Sequence, residues 1–276
     1  MVESIQAPIG YLVDTGELPV FYQSNVAGER TNFEGEREFR PVTMRNARLL
    51  PNTFELDREG FAFVAHKTAV SDFYDDAELK SVYDAEAEAL VRKHTGASRA
   101  LVFDHTRRSS SQNVREAHNA RDPANAAHTD YTDWSARNRV TAVMGDEAEA
   151  LLEKRFAIVN VWRSTAGTIA EWPLGLCTWD SVDDAHLHTV ERRAYNRVGQ
   201  TRHASFDPNN AWYYFPQMTP DEAILIKNYD TSTDGRARYA LHTSFDDPTA
   251  ASDAPPRESL ETRVLAFFDE SPSKIL

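Results

Sequence analysis

From residue 156 onward the sequence is a succession of short apolar runs, FAIVNVW, LGLCTW, AWYYF, EAILIKNY, YALHTSF and SLETRVLAFF, separated by clusters of Pro, Gly, Asp and Asn. Runs of this length, rich in β-branched and aromatic residues and punctuated by turn formers, read as strands. They lie too close together for helical crossovers, so antiparallel pairing is expected. An antiparallel sandwich or jelly roll with an α-helical flank satisfies that pattern.

The helices fall in the first 155 residues. AELKSVYDAEAEALVRKHT (77–95) places Leu79, Val82, Tyr83, Ala87, Leu90 and Val91 near one helical face, with Asp75 or Asp76 as N-cap and Gly96 past the end. A strand is expected at Arg99–Phe103, and a second helical stretch over roughly Trp134–Arg155, interrupted around Gly145-Asp146. Residues 1–50 mix Pro, Gly and charge and read as an extended arm with short strands. The class is α+β, mainly β. No internal repeat or low-complexity tract divides the chain, and the reading is one domain over 1–276. Residues 1–100 are its N-terminal arm and helical flank, and 101–276 its core with the functional site.

Composition narrows the function. Thirty basic against 43 acidic residues give a net charge of −13, which works against nucleic acid and, less strongly, against an anionic substrate. A small-molecule substrate is the expectation. No window of 18 apolar residues exists, and MVESIQAPIG lacks the basic and apolar regions of a secretory signal. A soluble, cytoplasmic protein without membrane partners is therefore expected. The single cysteine, Cys177, excludes an intrachain disulfide and a Cys-rich zinc site. A metal, if present, must use His and carboxylate.

Asn125-Ala126-Ala127-His128-Thr129-Asp130-Tyr131 contains such a pair, and on an extended strand His128 and Asp130 point to the same side. His242, in the strand-like YALHTSF, offers a third ligand. Two histidines and a carboxylate form a facial triad, which leaves three adjacent positions open for a chelating 2-oxo acid and O2 on iron. An H-x-D pair alone is weak, since any of the nine histidines could be surface or core residues. Arg257-Glu258-Ser259 strengthens it, because a guanidinium grips a carboxylate bidentately and a nearby hydroxyl adds a hydrogen bond. Arg263 shares the strand face of residues 257, 259 and 261. It is a rival for that role, or a partner of Glu261 or Glu258. The same three ligands could hold Zn²⁺ and a hydroxide in a hydrolase or lyase, which leaves Arg257 and Ser259 unexplained. A non-catalytic β-sandwich binding protein is the third reading.

Beyond these residues, NVWRSTAGTIAEWPLGLCTWDSV, AWYYFPQMTPDEAILIKNYD, HTSFDDP and PRESLETRVLAFF resemble the family of the 7α-cephem-methoxylase small-chain-like proteins and the aspergillic-acid hydroxylase/desaturase. The resemblance covers roughly residues 100–268. It implies a double-stranded β-helix, Fe(II), 2-oxoglutarate and O2, and oxidation of a natural-product intermediate with release of succinate and CO2. The outcome is hydroxylation, desaturation or oxidative cyclisation. His128 and Asp130 fall on the family's H-x-D, His242 on its distal His, and Arg257 on its R-x-S-like arginine. A homodimer is also implied.

Other residues have two readings each. Asn160 or Arg163 touches co-substrate or substrate, or Arg163 pairs with Asp180 or Glu171. Trp212, Tyr213 and Tyr214 form an aromatic wall, or pack in the core. Arg107 and Arg108, in a polar stretch after a β segment, face the pocket mouth. Tyr131 and Trp134, where the chain leaves the first two ligands, line the pocket or support the metal. Lys227, inside an apolar strand, needs a partner such as Asp230. His186 and His188 read as surface residues on a helix, where i and i+2 diverge.

Overall fold

Strands dominate the chain, as its apolar runs require. In order come β1 (Ser4–Val13), β2 (Val20–Tyr22), β3 (Asn32–Glu34), β4 (Glu36–Asn46) and β5 (Phe61–Ala65). A helical run follows, made of α1 (Asp76–Glu78), a π turn (Leu79–Tyr83) and α2 (Asp84–Thr95). Then come β6 (Arg99–Ser109), α3 (Gln112–His118), β7 (His128–Thr129), α4 (Asp133–Met144) and α5 (Ala148–Leu152). The remaining strands are β8 (Phe156–Ser164), β9 (Leu174–Cys177), β10 (Leu187–Ala194), β11 (Arg197–Ala204), β12 (Trp212–Tyr214), β13 (Glu222–Asp230), β14 (Leu241–Ser244) and β15 (Glu258–Phe267). The computed structural model describes residues 2–22, 32–51, 53–194 and 197–274.

Among the described residues the smaller sheet runs β5-β13-β8-β15-β6, and the larger runs β1-β4-β12-β9-β14-β7-β11-β10-β2-β3. The smaller sheet is wholly antiparallel. The larger contains two parallel pairs, β12 with β4 and β10 with β2. These parallel pairs depart from the expected pattern, because the N-terminal strands reach them across the molecule rather than through a local hairpin.

The central strand β8 is buried along its whole length. Its Ala157, Val159 and Val161 pack on Leu79, Tyr83, Ala87, Leu90 and Val91 of the helical run. Phe156 and Ile158 meet Ala136 and Val140 of α4, and Trp162 meets Leu174 and Leu176 of the larger sheet. A strand covered on both faces reads as a near-continuous apolar run, which explains FAIVNVW.

The helix ends follow the sequence signals. The Asp75 carboxylate accepts from the backbone N–H groups of Ala77 and Glu78, and Gly96 takes the left-handed conformation at φ 74°. The second helical stretch opens at a Thr132/Ser135 capping box, and breaks at Gly145.

Two expectations are corrected. Residues 1–50 are not an arm of short strands, since β1 and β4 pair from Ser4↔Arg45 to Val13↔Glu36. The polar, Pro-containing sequence of β4 hides a strand whose conformation is set by its partner. The strand at Arg99 does not stop at Phe103 but continues to Ser109, paired with β15. Its outer half is polar because it flanks the site described next.

Candidate metal centre

Three strands of the larger sheet bring histidines into one cross-strand row. His128 on β7 stands opposite His203 on β11 and His242 on β14. The rings of His128 and His242 lie 4.4 Å apart, and those of His128 and His203 5.5 Å apart. Asp130 lies just after β7, two residues beyond His128, and reaches the same point. Ligand atoms of His128, Asp130 and His242 all lie within 4.8 Å of one another. The distal histidine and the H-x-D pair, far apart in sequence, are neighbours because β7 and β14 pair.

Hydrogen bonds fix which atoms face inward. His128 Nδ1–H donates to the Ala126 carbonyl at 2.7 Å, and His242 Nδ1–H to the Ala240 carbonyl at 3.4 Å. Each therefore presents its unprotonated Nε2 to the centre. The Nε2 of His242 is buried without a partner. Such an orphaned acceptor beside a carboxylate and a second imidazole is what a divalent cation fits.

Asp130 is anchored through one oxygen. Its Oδ2 accepts from Asn160 Nδ2 at 3.0 Å and Arg263 Nε at 3.1 Å, while its N–H donates to Asn228 Oδ1 at 3.1 Å. Its Oδ1 lies 3.5 Å from His128 Nε2. Burial pushes the carboxyl up, but the Arg263 charge and the two histidines outweigh it and hold Asp130 well below the usual range. Burial and the neighbouring His128 lower His242 to about 4. Both therefore stand in their metal-binding forms at neutral pH.

Arg257, just ahead of β15, is 2 % exposed. Its Nε donates to Ser259 Oγ at 3.1 Å, its Nη1 to the Trp172 carbonyl at 2.7 Å, and its guanidinium lies 5.0 Å from the centre of the Trp162 ring. No carboxylate pairs with its side chain among the described residues. Burial, then repulsion from Arg108, lowers it to about 9. Arg263 is its opposite, held by Asp130, Asp104 at 2.6 Å and Glu261. Of the two arginines expected to compete for a ligand carboxylate, only Arg257 is left without one.

The comparisons agree with this chemistry. The oxidoreductase/YMDC permease-like domain matches residues 9–267. The Fe(II)/2-oxoglutarate-dependent dioxygenase nvfI of Aspergillus novofumigatus is 31 % identical, over 82 % of this chain and 82 % of its own. The chain belongs to the Fe(II)/2-oxoglutarate-dependent oxygenases. The hydroxylase/desaturase efuI of Hormonema carpetanum is 32 % identical, over 98 % of this oxygenase and 99 % of its own length. The solved iron and alpha-ketoglutarate-dependent endoperoxidase NvfI superposes with a TM-score of 0.84 at 26 % identity, covering 96 % of this chain and 98 % of that one. These likenesses favour the oxygenase over the zinc-hydrolase and binding-protein readings.

Strand parity sorts the remaining residues of this oxygenase. Asn160 faces inward to Asp130, so Arg163, three residues on, lies on the helix side. There it donates to the carbonyls of His66 and Pro220 and lies near Phe73 and Tyr83, not beside Asp180 or Glu171. Arg107 likewise turns to the helix side, bonding the Phe73 carbonyl and Asp76. Trp212, Cys177 and Leu241 share a register row facing away from His242, and Trp212 donates to the Tyr11 hydroxyl at 2.9 Å in the core. Tyr131 packs against α4, whereas Trp134 is 48 % exposed. Lys227 pairs with Asp57 and Asp230. His186 and His188 lie in a short 3₁₀ turn and on β10, and each contacts the Ser205 hydroxyl at 3.0 Å, so the helical surface expected for them is absent.

His203 escaped the sequence reading. It is buried, lies beside Phe21 and Phe33 as well as His128, and its Nδ1 has no partner. Only the pairing of β11 with β7 reveals it; TRHASF carries no local signal.

Proposed function

We propose that this oxygenase is one domain over residues 1–276, a double-stranded β-helix or jelly roll, in which His128, Asp130 and His242 hold Fe(II). Arg257 and Ser259 receive the far carboxylate of 2-oxoglutarate. When bound, the metal with 2-oxoglutarate and O2 supplies the oxidation of a substrate C–H bond, with release of succinate and CO2. Asn160 and Arg263 keep Asp130 ionised and turned by one oxygen toward the metal. Their part is positioning, as the hydrogen bonds to the two histidines are.

The observation that carries the reading is Arg257, a buried cation with a hydroxyl beside it and no carboxylate partner among the described residues. An unpaired buried charge is costly, and a dianionic co-substrate relieves that cost. The names of the relatives, a hydroxylase/desaturase and an endoperoxidase, support a natural-product intermediate as substrate. No described helix is long and apolar enough to cross a membrane. The reading includes a cytoplasmic homodimer, supported by the buried Cys177 thiol for the compartment and by family resemblance for the dimer.

Anaerobic titration of the metal-free protein with Fe(II) and then 2-oxoglutarate tests the assignment. A weak visible charge-transfer band that disappears in His242→Ala, and needs more co-substrate in Arg257→Gln, is the expected result. Folded, iron-loaded protein without the band would overturn it.

A further inference from the structure

We propose that Arg108 and Arg121 form a subsite for a carboxylate on the substrate, beside the metal centre and separate from the seat at Arg257. This deepens the reading above and rests on it for the co-substrate's place.

Backbone register puts the two arginines together. Ser259 on β15 stands opposite Arg108 on β6, and Arg108 forms a parallel bridge with Arg121. The bridge is closed by Ser109 N–H to the Arg121 carbonyl and Arg121 N–H to the Arg107 carbonyl, both at 2.9 Å. Residues opposite one another on a ladder project from the same face. That face is the inner one, because the Ser259 hydroxyl on it meets Arg257. Three arginines thus lie on neighbouring segments of one face: Arg108 on β6, Arg121 bridged to it and Arg257 just ahead of β15.

The nearby carboxylates are committed elsewhere. Asp104, Glu261 and Asp130 hold Arg263, and Asp122 pairs with Arg115 at 2.6 Å. Glu171 accepts the Ser110 hydroxyl and the Arg257 backbone N–H. Arg108 donates to the carbonyl of Asp122 at 2.8 Å. The Arg121 guanidinium has neither hydrogen bond nor ion pair among the described residues. Arg121 is exposed to solvent, yet desolvation by the atoms packed around it and repulsion from Arg108, Arg192 and Arg263 lower it to about 10, so it stays a cation at neutral pH and is open to an incoming anion. A chain of net charge −13 has concentrated positive charge around Arg121, which inverts locally what the overall balance suggests about substrate charge.

One 2-oxoglutarate places its far carboxylate at one seat, and Arg257 with Ser259 already forms it. The Arg108/Arg121 pair is left for a second anion. On the larger sheet beside His203, Phe21 and Phe33 lie 5.2 Å apart, Phe33 stacks 6.4 Å from His203, and the Arg37 guanidinium lies 4.1 Å from the centre of the Phe33 ring. The ligand class that fits both walls is a carboxylic acid with a ringed or otherwise apolar body.

The test is calorimetric titration of the anaerobic Fe(II)–2-oxoglutarate protein with a panel of aromatic and alicyclic carboxylic acids, each beside its own primary amide. A charge-assisted contact predicts at least one acid binding about tenfold or more tighter than its amide. The Arg108→Gln/Arg121→Gln double variant should erase that preference while shifting the 2-oxoglutarate midpoint of the charge-transfer band far less than Arg257→Gln does, which also reports that the variant folds. Arg121→Lys, which keeps the charge, should retain part of the preference. The proposal is overturned if no acid outbinds its amide, if the double variant keeps the preference, or if it loses 2-oxoglutarate as Arg257→Gln does. Absence of the band in the unsubstituted protein would instead sink the co-substrate assignment, with acid against amide still read by the calorimeter.

Discussion

At the residue scale the centre depends on a few side chains held from behind. Removing the Nε2 of His242 by substitution with alanine leaves a two-ligand site, and stoichiometric Fe(II) binding should be lost in an equilibrium-dialysis measurement. Asn160→Ala and Arg263→Met touch no metal, yet each removes one of the two side-chain hydrogen bonds that Asp130 Oδ2 accepts. Loss of such support typically weakens metal affinity roughly 10- to 100-fold, readable by competition with a coloured chelator. Arg257→Gln should raise the 2-oxoglutarate needed for half-saturation by roughly tenfold or more while sparing Fe(II) affinity, since a charged hydrogen-bonded pair contributes about 1.5–3 kcal/mol. Equal affinities for 2-oxoglutarate would move the seat elsewhere on this face.

At the element scale the position of β7 is set by what leads into it. Ala127 N–H donates to the Gly10 carbonyl at 2.9 Å, and a Cβ on Gly10 would stand 2.4 Å from the Asn125 carbonyl oxygen. β1 therefore presents a bare backbone so that residues 125–127 can dock and deliver His128. Gly10→Ala should displace that strap, costing about 1–3 kcal/mol by overcrowding, and should also weaken Fe(II) binding. The control is Leu90→Ala on α2, whose side chain packs on the far face of the smaller sheet. It should cost about 2–5 kcal/mol in denaturant unfolding with the metal affinity of the folded fraction intact. If both variants affect metal and stability alike, β1 has no special hold on the centre.

On the scale of the whole molecule, a buried ion cluster closes the end of the smaller sheet. Arg155 reaches Asp230 at 2.8 Å and Glu270 at 3.1 Å, and Lys227 bonds Asp57 and Asp230. Burial pushes the Asp230 carboxyl up, but the Arg155 hydrogen bonds and the Lys227 charge outweigh it and hold it below its ordinary value of 3.8. A carboxyl depressed in the folded state contributes stability above its unfolded value, and that contribution is lost as pH falls through the lower folded value. Unfolding free energy should therefore decline on acidification below about pH 4, and Asp230→Asn should flatten that part of the profile. The same substitution still leaves Arg155 paired with Glu270 and Lys227 with Asp57 and should cost about 1–3 kcal/mol at neutral pH. A binding-linked gain is expected too. Fe(II) at a hundred times its dissociation constant should add about 2.7 kcal/mol, raising the unfolding temperature of the native chain but not of His242→Ala.

The sequence by itself determined the strands β8, β9, β12, β13, β14 and β15 but not β10 and β11, whose charged residues hide them, together with the capped helix over 76–95 and the three candidate metal ligands. Each of these rests on local periodicity, capping chemistry or residue type, and those act over a few neighbouring residues. The β1–β4 pair, the full length of β6, the inward turn of Asn160 against the outward turn of Arg163, and the presence of His203 depend on which strand lies beside which. A polar strand such as EREFRPVTMRN becomes a strand through its partner's hydrogen bonds, and a one-residue change of parity reverses the face each side chain takes. Whether an arginine is matched by a carboxylate is likewise a fact about space. The pairing of Arg263 with three acids, and the absence of any for Arg257 and Arg121 among the described residues, were decided by the tertiary structure alone.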